Sequence, residues 1–215
     1  GGRFLERVFT DAERAYAELA GTRRQQICQK ILKALTDKVA DPRGIRRPTT
    51  LGTVCALAGA KAAEVADVIE VFRNPSRSFL MPPAGEALEA ETVIDISHES
   101  LMRVWQRLNT WTDEEAQSAL TYLRLADTAA LHAAGQASLW HDPDLQLALD
   151  WRAQSQPNQS WAARYDPNFV RAMGFLERSL EAHQAEQAVE QERQWREREV
   201  LEQLAAESAK SARFF

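Results

Sequence analysis

The amino-acid sequence predicts a mainly α-helical protein, with a winged-helix domain that contains a small β-hairpin, then a helical linker domain and a long C-terminal helix. Apolar residues recur at helical spacing over most of the chain. Two short apolar runs, 78–81 and 92–96, have strand character and flank a loop that contains Pro82, Pro83 and Gly85. Because three predicted helices directly precede this hairpin, the order of elements is that of a winged helix.

The first part of the chain alternates helices with turn signals. Helices are predicted at residues 3–19 and 22–36, and a short strand is predicted at 45–47. A third helix is expected to end at Gly59, and Thr50 or the threonine before it can cap its start.

The fourth helix, 60–72, would be the recognition helix of a winged helix. Its apolar residues recur at i, i+3, i+4 and i+7, at Val65, Val68, Ile69 and Phe72. Its outer positions carry Lys61, Glu64, Asp67 and Glu70, and the wing loop adds Glu86, Glu89 and Glu91. Carboxylates on these surfaces would repel a phosphate backbone, and the dense basic cluster, Arg43, Arg46 and Arg47, precedes the helix. The sequence therefore predicts no nucleic-acid partner.

Helix is also predicted over most of the chain after residue 97. Ser97 is expected to cap a helix that begins near His98. Further helices are predicted at 113–134 and 144–153, and a final one begins at Asp166-Pro167. The predicted domain organisation is an N-terminal helix at 1–21, a winged-helix domain at 22–98, a helical domain at 99–165 and a long C-terminal helix or stalk at 166–215.

The final helix has two halves of different character. Its first half can bury a seam made of Phe169, Met173, Leu176 and Leu180. In its second half the same register carries polar residues, where a stable coiled coil would need apolar ones. A solvated stalk and a partner-binding or homo-oligomerising coil both stay open.

Composition and net charge limit the partners and the cellular compartment that we expect for the protein. The net charge of −5 argues against a general affinity for phosphate backbones. No run approaches the roughly 18 to 20 apolar residues that span a bilayer, and Cys28 and Cys55 are interpreted as core residues in a reducing compartment. We therefore expect a cytoplasmic protein without a membrane partner. The start at Gly1-Gly2 rather than Met suggests a piece of a longer polypeptide.

Motifs that would carry catalysis are absent from the sequence. It has no G-x-x-x-x-G-K-[ST] phosphate loop, no G-x-G-x-x-G turn and no G-x-S-x-G elbow. The four histidines are far apart, and the Asp142-Pro143-Asp144 stretch after His141 is interpreted as a helix cap. The sequence predicts no catalytic residue and no metal site in this chain.

His98 is the candidate binding residue. On the first turn of a helix it would lie where unpaired N–H groups favour an anion. An imidazole can donate a hydrogen bond to a phosphate. On these grounds alone a structural histidine is still favoured over a ligand contact.

Three segments resemble a known family: "VIDISHESLMRVWQRLNTW", "RLADTAALHAAGQASLWHDPDLQLALDW" and "FLERSL". They are similar to the region after the ATPase core of bacterial STAND NTPases, the signal-transduction ATPases with numerous domains, and in particular to the novel STAND class. The resemblance extends over residues 5–180. It implies a non-catalytic regulatory region that couples nucleotide state to a downstream sensor or effector, in bacterial signalling or defence.

The resemblance also implies partners and a site. In this family the winged helix packs on an adjacent nucleotide-binding ATPase domain, and the histidine of a Met-His-Asp-like motif contacts the nucleotide β-phosphate. His98 in "ISHE" occupies that position, although Ser97 and Glu99 depart from the motif. ADP or ATP with Mg would then belong to the full-length ATPase, and this chain would hold no cofactor itself.

Two other functions stay open at this point. One is a winged-helix DNA-binding regulator that dimerises through its C-terminal helix, which a gel shift with random duplex at low salt would reveal. The other is a helical scaffold protein in which His98 is purely structural.

Overall fold

The computed structural model describes residues 2–211, and these are mainly helical, as predicted. The helices are α1 (Gly2–Glu18), α2 (Thr22–Ala34), α3 (Leu51–Ala58), α4 (Ala62–Phe72), α5 (Ser100–Val104), α6 (Gln106–Ala133), α7 (Asp144–Ser155), α8 (Gln159–Ala162) and α9 (Phe169–Ser211). The strands are β1 (Thr36–Asp37), β2 (Ile45–Arg46), β3 (Thr49–Thr50), β4 (Leu80–Met81) and β5 (Val93–Ile96). The predicted domain boundaries stay predictions.

A three-stranded antiparallel sheet, ordered β3-β5-β4, combines one strand that precedes α3 with two strands that follow α4. Thr50 pairs with Val93 on one side of β5, and Leu80 pairs with Ile96 on the other. Side chains alternate along β5, so that Ile94 and Ile96 are fully buried while Val93 is exposed. The predicted hairpin is confirmed, but β3 was missed because two threonines before a helix were interpreted only as a cap.

Both ends of α3 are as predicted. The Thr50 hydroxyl accepts a hydrogen bond from the Thr53 amide, and Gly59 ends the helix in the left-handed region at φ 60°. A residue with a Cβ is strained at that φ, so glycine is the favoured residue for this stop.

The first hydrophobic core lies between α1–α5 and the sheet and extends into the start of α6. The stripe predicted for α4 is confirmed, because Val65, Val68, Ile69 and Phe72 are each at most 1 % exposed. Cys28 is buried in this core, where burial raises the pKa of its thiol, and Cys55 packs against the core partly buried. Cys28 therefore has the core placement that the sequence predicts, whereas Cys55 is only partly buried beside the core.

The helix that follows β5 breaks at Trp105. The sequence predicted one apolar stripe there and a new helix from Asp113, but α6 already begins at Gln106. Trp105 has extended backbone angles, φ −84° and ψ 98°, and its indole is fully buried. The break thus turns the largest side chain of the region into the first core.

Glu13 anchors α1 to this break. Its carboxylate accepts hydrogen bonds from Trp105 Nε1 at 2.6 Å and from Arg107 Nε and Nη2, both at 3.1 Å. The Arg107 guanidinium also lies 4.3 Å from the centre of the Tyr16 ring. These contacts join residues about 90 positions apart in sequence, so periodicity could not predict them.

Glu13→Gln is expected to destabilise the protein in a pH-dependent way. The hydrogen bond from Arg107, with that from Trp105, holds the pKa of Glu13 below its ordinary value of 4.5. A lowered folded-state pKa means that the stabilisation is complete above 4.5 and is lost as the pH falls through the folded-state value. Urea unfolding should therefore show a loss of about 1–2 kcal/mol near neutral pH that shrinks at about pH 3.

The control for this prediction is Glu202→Gln on the exposed part of α9. It should change the free energy of unfolding by less than about 0.5 kcal/mol at both pH values. If Glu13→Gln lowered the free energy of unfolding equally at both pH values, the stabilisation could not be assigned to the ionised Glu13 carboxylate.

A second hydrophobic core is formed by α6, α7, α8 and the first half of α9. Tyr122 is fully buried at its centre and donates a hydrogen bond to the Asp166 carbonyl oxygen at 2.7 Å. The predicted helix at 144–153 corresponds to α7. The short helix α8 was missed because its sequence reads as a polar loop.

The final helix begins at Phe169, three residues later than predicted. The Asp166 carboxylate accepts a hydrogen bond from the Asn168 amide at 2.7 Å, so Asp166 and Pro167 form a turn before the helix. The predicted seam is confirmed, since Phe169, Met173, Leu176 and Leu180 all contribute to the second core. Residues 184–210 are exposed along their whole length.

Within residues 2–211, no helix is both long and apolar enough to cross a bilayer.

Candidate functional site

His98 lies two residues after the end of β5, and its side chain is exposed to solvent. It precedes α5 rather than occupying the first turn of that helix, because α5 begins at Ser100. The His98 carbonyl oxygen accepts a hydrogen bond from the Leu101 amide at 3.1 Å. Its imidazole forms no hydrogen bond or ion pair with any residue between 2 and 211.

Ser97 does not cap α5, which corrects the sequence prediction. Its amide donates to the Phe79 carbonyl oxygen at 3.0 Å, and its hydroxyl donates to the Ser78 carbonyl oxygen. The hydrogen bonding between β5 and the segment that leads into β4 therefore continues to Ser97, and the Ser97 hydroxyl points towards that segment. The result is a fixed strand end that presents the next residue, His98, at the surface.

The β1–β2 hairpin supports the same strand end from the other side. Arg46 Nη1 donates to Asp95 Oδ2 at 3.0 Å and to the Ile96 carbonyl oxygen at 3.1 Å. In the hairpin loop, a hydrogen bond from Arg43 to Asp41 raises the pKa of Arg43, and the charge of Glu99 adds to this increase. The hairpin therefore brings two arginines towards the residues on either side of His98.

The chemistry of this site suits recognition of an anion. An exposed imidazole can donate a hydrogen bond to an anionic group on another molecule or domain. His98 has no hydrogen-bonding partner among the residues that the structure describes, so its ring nitrogens are available to another molecule or domain.

Carboxylates on the outer face of α4 are paired with arginines in the fold. Arg23 Nε lies 3.3 Å from Glu64 Oε1, and Arg24 Nη2 lies 3.6 Å from Asp67 Oδ2. The amide of Lys61, and then the Arg23 side chain, lower the pKa of Glu64. These partners come from α2, about 40 residues earlier, so the outer face of α4 is less acidic than its own sequence indicates.

The basic cluster is paired in the same way. Arg43, Arg46 and Arg47 lie 2.9, 3.0 and 3.5 Å from carboxylate oxygens of Asp41, Asp95 and Asp37. The sequence shows the three arginines only as a dense basic cluster, because the pairing of Arg46 with Asp95 joins residues 49 positions apart.

Arg73 is a structural residue that sequence reasoning missed. Its side chain is 4 % exposed, and Nε donates to Glu70 Oε2 at 2.9 Å. Nη1 donates to the Pro83 carbonyl oxygen at 3.2 Å and Nη2 to the Glu86 carbonyl oxygen at 2.8 Å. A buried guanidinium therefore holds the wing loop between β4 and β5, whose second strand leads to His98.

The other histidines make contacts around the second core. His132 Nδ1 lies 2.9 Å from the Ala137 carbonyl oxygen. His141 and His183 lie 3.6 and 3.5 Å from carboxylate oxygens of Glu186 and Asp142. No group of three or more histidine, cysteine or acidic residues in the described part of the chain is arranged to hold a metal ion.

Comparison with known proteins identifies the family. The family model for Novel STAND NTPase 1 matches residues 2–138, which include the first core, both sheets and His98. No curated protein and no solved structure matches the chain. The match covers well over half of the sequence, and it agrees with the resemblance of the sequence motifs to the novel STAND class. The chain therefore belongs to the Novel STAND NTPase 1 family.

Proposed function

We propose that this chain is a non-catalytic regulatory region of a STAND-type signalling ATPase, in which His98 contacts the nucleotide phosphate held by an adjacent nucleotide-binding domain. The observation that carries the proposal is the exposed, unpaired imidazole at a strand end that Ser97 and Arg46 hold in place. A side chain that is positioned but unpaired is suited to a contact made across a domain interface.

The winged-helix interpretation of residues 22–98 belongs to this proposal. It is supported by the order α2-β1-β2-β3-α3-α4-β4-β5 and by the central position of β5 in the sheet. ADP or ATP with Mg would be bound mainly by the adjacent ATPase domain, because this sequence contains no phosphate loop. Hydrolysis belongs to that domain in the full-length protein.

The helical part of the chain would then relay the nucleotide state to a downstream sensor or effector. A switch of this kind needs two packings of similar energy, one of which the nucleotide contact favours. The setting we propose is cytoplasmic, in bacterial signalling or defence. Neither nucleic acid nor a membrane is a partner in this proposal, and the pairing of the arginines with carboxylates supports the first exclusion.

His98→Ala tests the proposal in the polypeptide that carries this region together with the nucleotide-binding domain. Loss of one hydrogen bond to a charged phosphate should make ADP release about tenfold faster, measured with a fluorescent ADP analogue. His141→Ala is the matched control, since that imidazole is also exposed but lies beside the second core.

The melting temperature of the variants separates a switch contact from a scaffold role. Under our proposal His98→Ala changes ADP release and leaves the melting temperature unchanged. Equal ADP release from the unchanged protein and from both variants would contradict the nucleotide contact and favour a scaffold in which His98 is structural.

A further inference from the structure

The two hydrophobic cores are separate and share one continuous helix. Leu108 and Trp111 of α6 pack in the first core, whereas Tyr122, Leu125 and Ala129 of the same helix pack in the second. The charged side chains of Lys33 and Lys38 pair with Glu114 and Asp113 and fix the start of α6 to α2 and to the residue that follows β1.

A second connection between the two cores runs through the segment 158–165, which contains α8. Trp161 Nε1 and the Tyr165 hydroxyl both donate to Glu115 Oε1, at 2.5 and 2.9 Å. Glu115 belongs to α6, and Trp161 and Tyr165 pack against the second core. The segment is therefore held to the helical unit formed by the second core.

From that anchor the segment reaches two helix ends of the first core. Arg164 Nη2 donates to the Ala34 carbonyl oxygen at 3.0 Å, at the last residue of α2. Asn158 Nδ2 donates to the Ala56 carbonyl oxygen at 3.4 Å, in the last turn of α3. Carbonyl groups at helix C-termini lack intrahelical partners and attract positive donors. The Ala34 carbonyl oxygen also accepts from the Thr49 hydroxyl at 3.5 Å, and the Ala56 carbonyl oxygen accepts from the Gly59 amide at 3.4 Å, so Arg164 and Asn158 supply a further donor to each helix end.

These contacts are polar, and the space beside them is open. Burial lowers the pKa of Arg164, whose guanidinium also faces the charges of Arg47, Glu115 and Asp37. A cleft of about 1170 Å³ separates α2 from α7 next to this segment, with Gln26 on one wall and Gln154 on the other. Polar contacts beside an open cleft can separate without exposing either core, as is common where domains move.

We propose that residues 158–165 form a releasable latch between the winged-helix unit and the helical unit, with Arg164 and Asn158 as its two contacts. Opening would widen the cleft between α2 and α7 while α6 still connects the units. The proposal rests on the proposed function, because a signal from the winged-helix unit must cross this interface to reach the helical unit.

The test measures the width of the cleft in this chain alone. Nitroxide labels on cysteines introduced at Gln26 and Gln154, in a Cys55→Ala background, report the distance between α2 and α7 by pulsed electron paramagnetic resonance. Arg164→Ala removes the first contact. Asn158→Asp removes the second but keeps an oxygen that can accept from the Trp161 amide, as Asn158 Oδ1 does. Arg198→Ala, on the exposed part of α9, is the control.

Each latch variant is expected to raise the population with a longer label distance by about tenfold relative to the control. The circular dichroism spectrum should stay unchanged, because neither core loses an apolar contact. If Arg164→Ala does not fold, the Asn158→Asp result decides. An unchanged distance distribution in the latch variants would overturn the proposal.

The outcome is independent of the nucleotide contact, since no nucleotide and no ATPase domain are present in this experiment. If the latch variants widen the cleft but His98→Ala does not alter ADP release, the latch proposal stands and the nucleotide contact is rejected. If the latch variants do not widen the cleft but His98→Ala alters ADP release, the nucleotide contact stands and the latch proposal is rejected.

Discussion

Replacing Arg73 by alanine is expected to lower the free energy of unfolding by about 3 kcal/mol. Its buried guanidinium bonds the Glu70 carboxylate and the carbonyl oxygens of Pro83 and Glu86, so the variant leaves wing-loop carbonyl groups without their charged donor. Urea unfolding followed by circular dichroism measures the change.

Arg14→Ala is the matched control for the Arg73 variant. The Arg14 side chain is 71 % exposed and its distance to Asp11 is 3.9 Å, so the expected change is no more than about 0.5 kcal/mol. A loss below about 1 kcal/mol in Arg73→Ala would show that water replaces the guanidinium in the wing loop at little cost.

Trp105→Ala is expected to be more destabilising, by about 4 kcal/mol. The indole is fully buried, lies within 6.5 Å of the Tyr16, Phe72 and Trp111 rings, centre to centre, and donates to Glu13. The variant would leave a cavity where α1, α4 and the start of α6 meet. Both the melting temperature and the urea midpoint should fall.

Two further variants make the Trp105 prediction specific. Trp195→Ala removes an indole that is 59 % exposed on α9 and should change the stability by less than about 0.5 kcal/mol. Trp105→Phe keeps most of the apolar volume and removes the donor to Glu13, so its expected loss is about 1–2 kcal/mol. Equal losses in Trp105→Ala and Trp195→Ala would refute the assigned role of Trp105 in the core.

The elements that local sequence could predict are those in which apolar periodicity and burial agree. The α4 stripe at 65–72 and the α9 seam at 169–180 pack as their spacing indicates, because each helix buries one continuous face. Thr50 and Gly59 end α3 as expected, since capping depends on groups only a few residues apart.

The errors occurred where a distant contact outweighed a local preference. Ser97 has the side chain of a helix cap, but its hydroxyl donates to the carbonyl oxygen of Ser78, which lies 19 residues earlier and just before β4. The helix after His98 was expected to run unbroken through Trp105, but the extended backbone of Trp105 places its indole in the first core beside Glu13. In each case the competing partner is far away in sequence.

For the candidate site, the sequence singled out His98 and the family to which the chain belongs. It did not predict the Arg46 contact that holds the end of β5, nor the pairing of the arginine cluster with Asp95 and Asp37. Net charge and motif searches count residues, whereas these electrostatic partners depend on which loops and strands come together.

The sequence by itself determined the helical class and the hairpin that leads to His98, because these follow from periodicity and turn residues within short windows, and its segments carried the resemblance to the family. Only the tertiary structure decided how the units are joined: Arg73 holding the wing loop, Glu13 fixing α1 to Trp105, and Arg164 and Asn158 bridging the two cores. The physical reason is that buried polar groups must find hydrogen-bond partners, and in this fold several of those partners are carbonyl and carboxylate groups brought close only by the packing of elements distant in sequence.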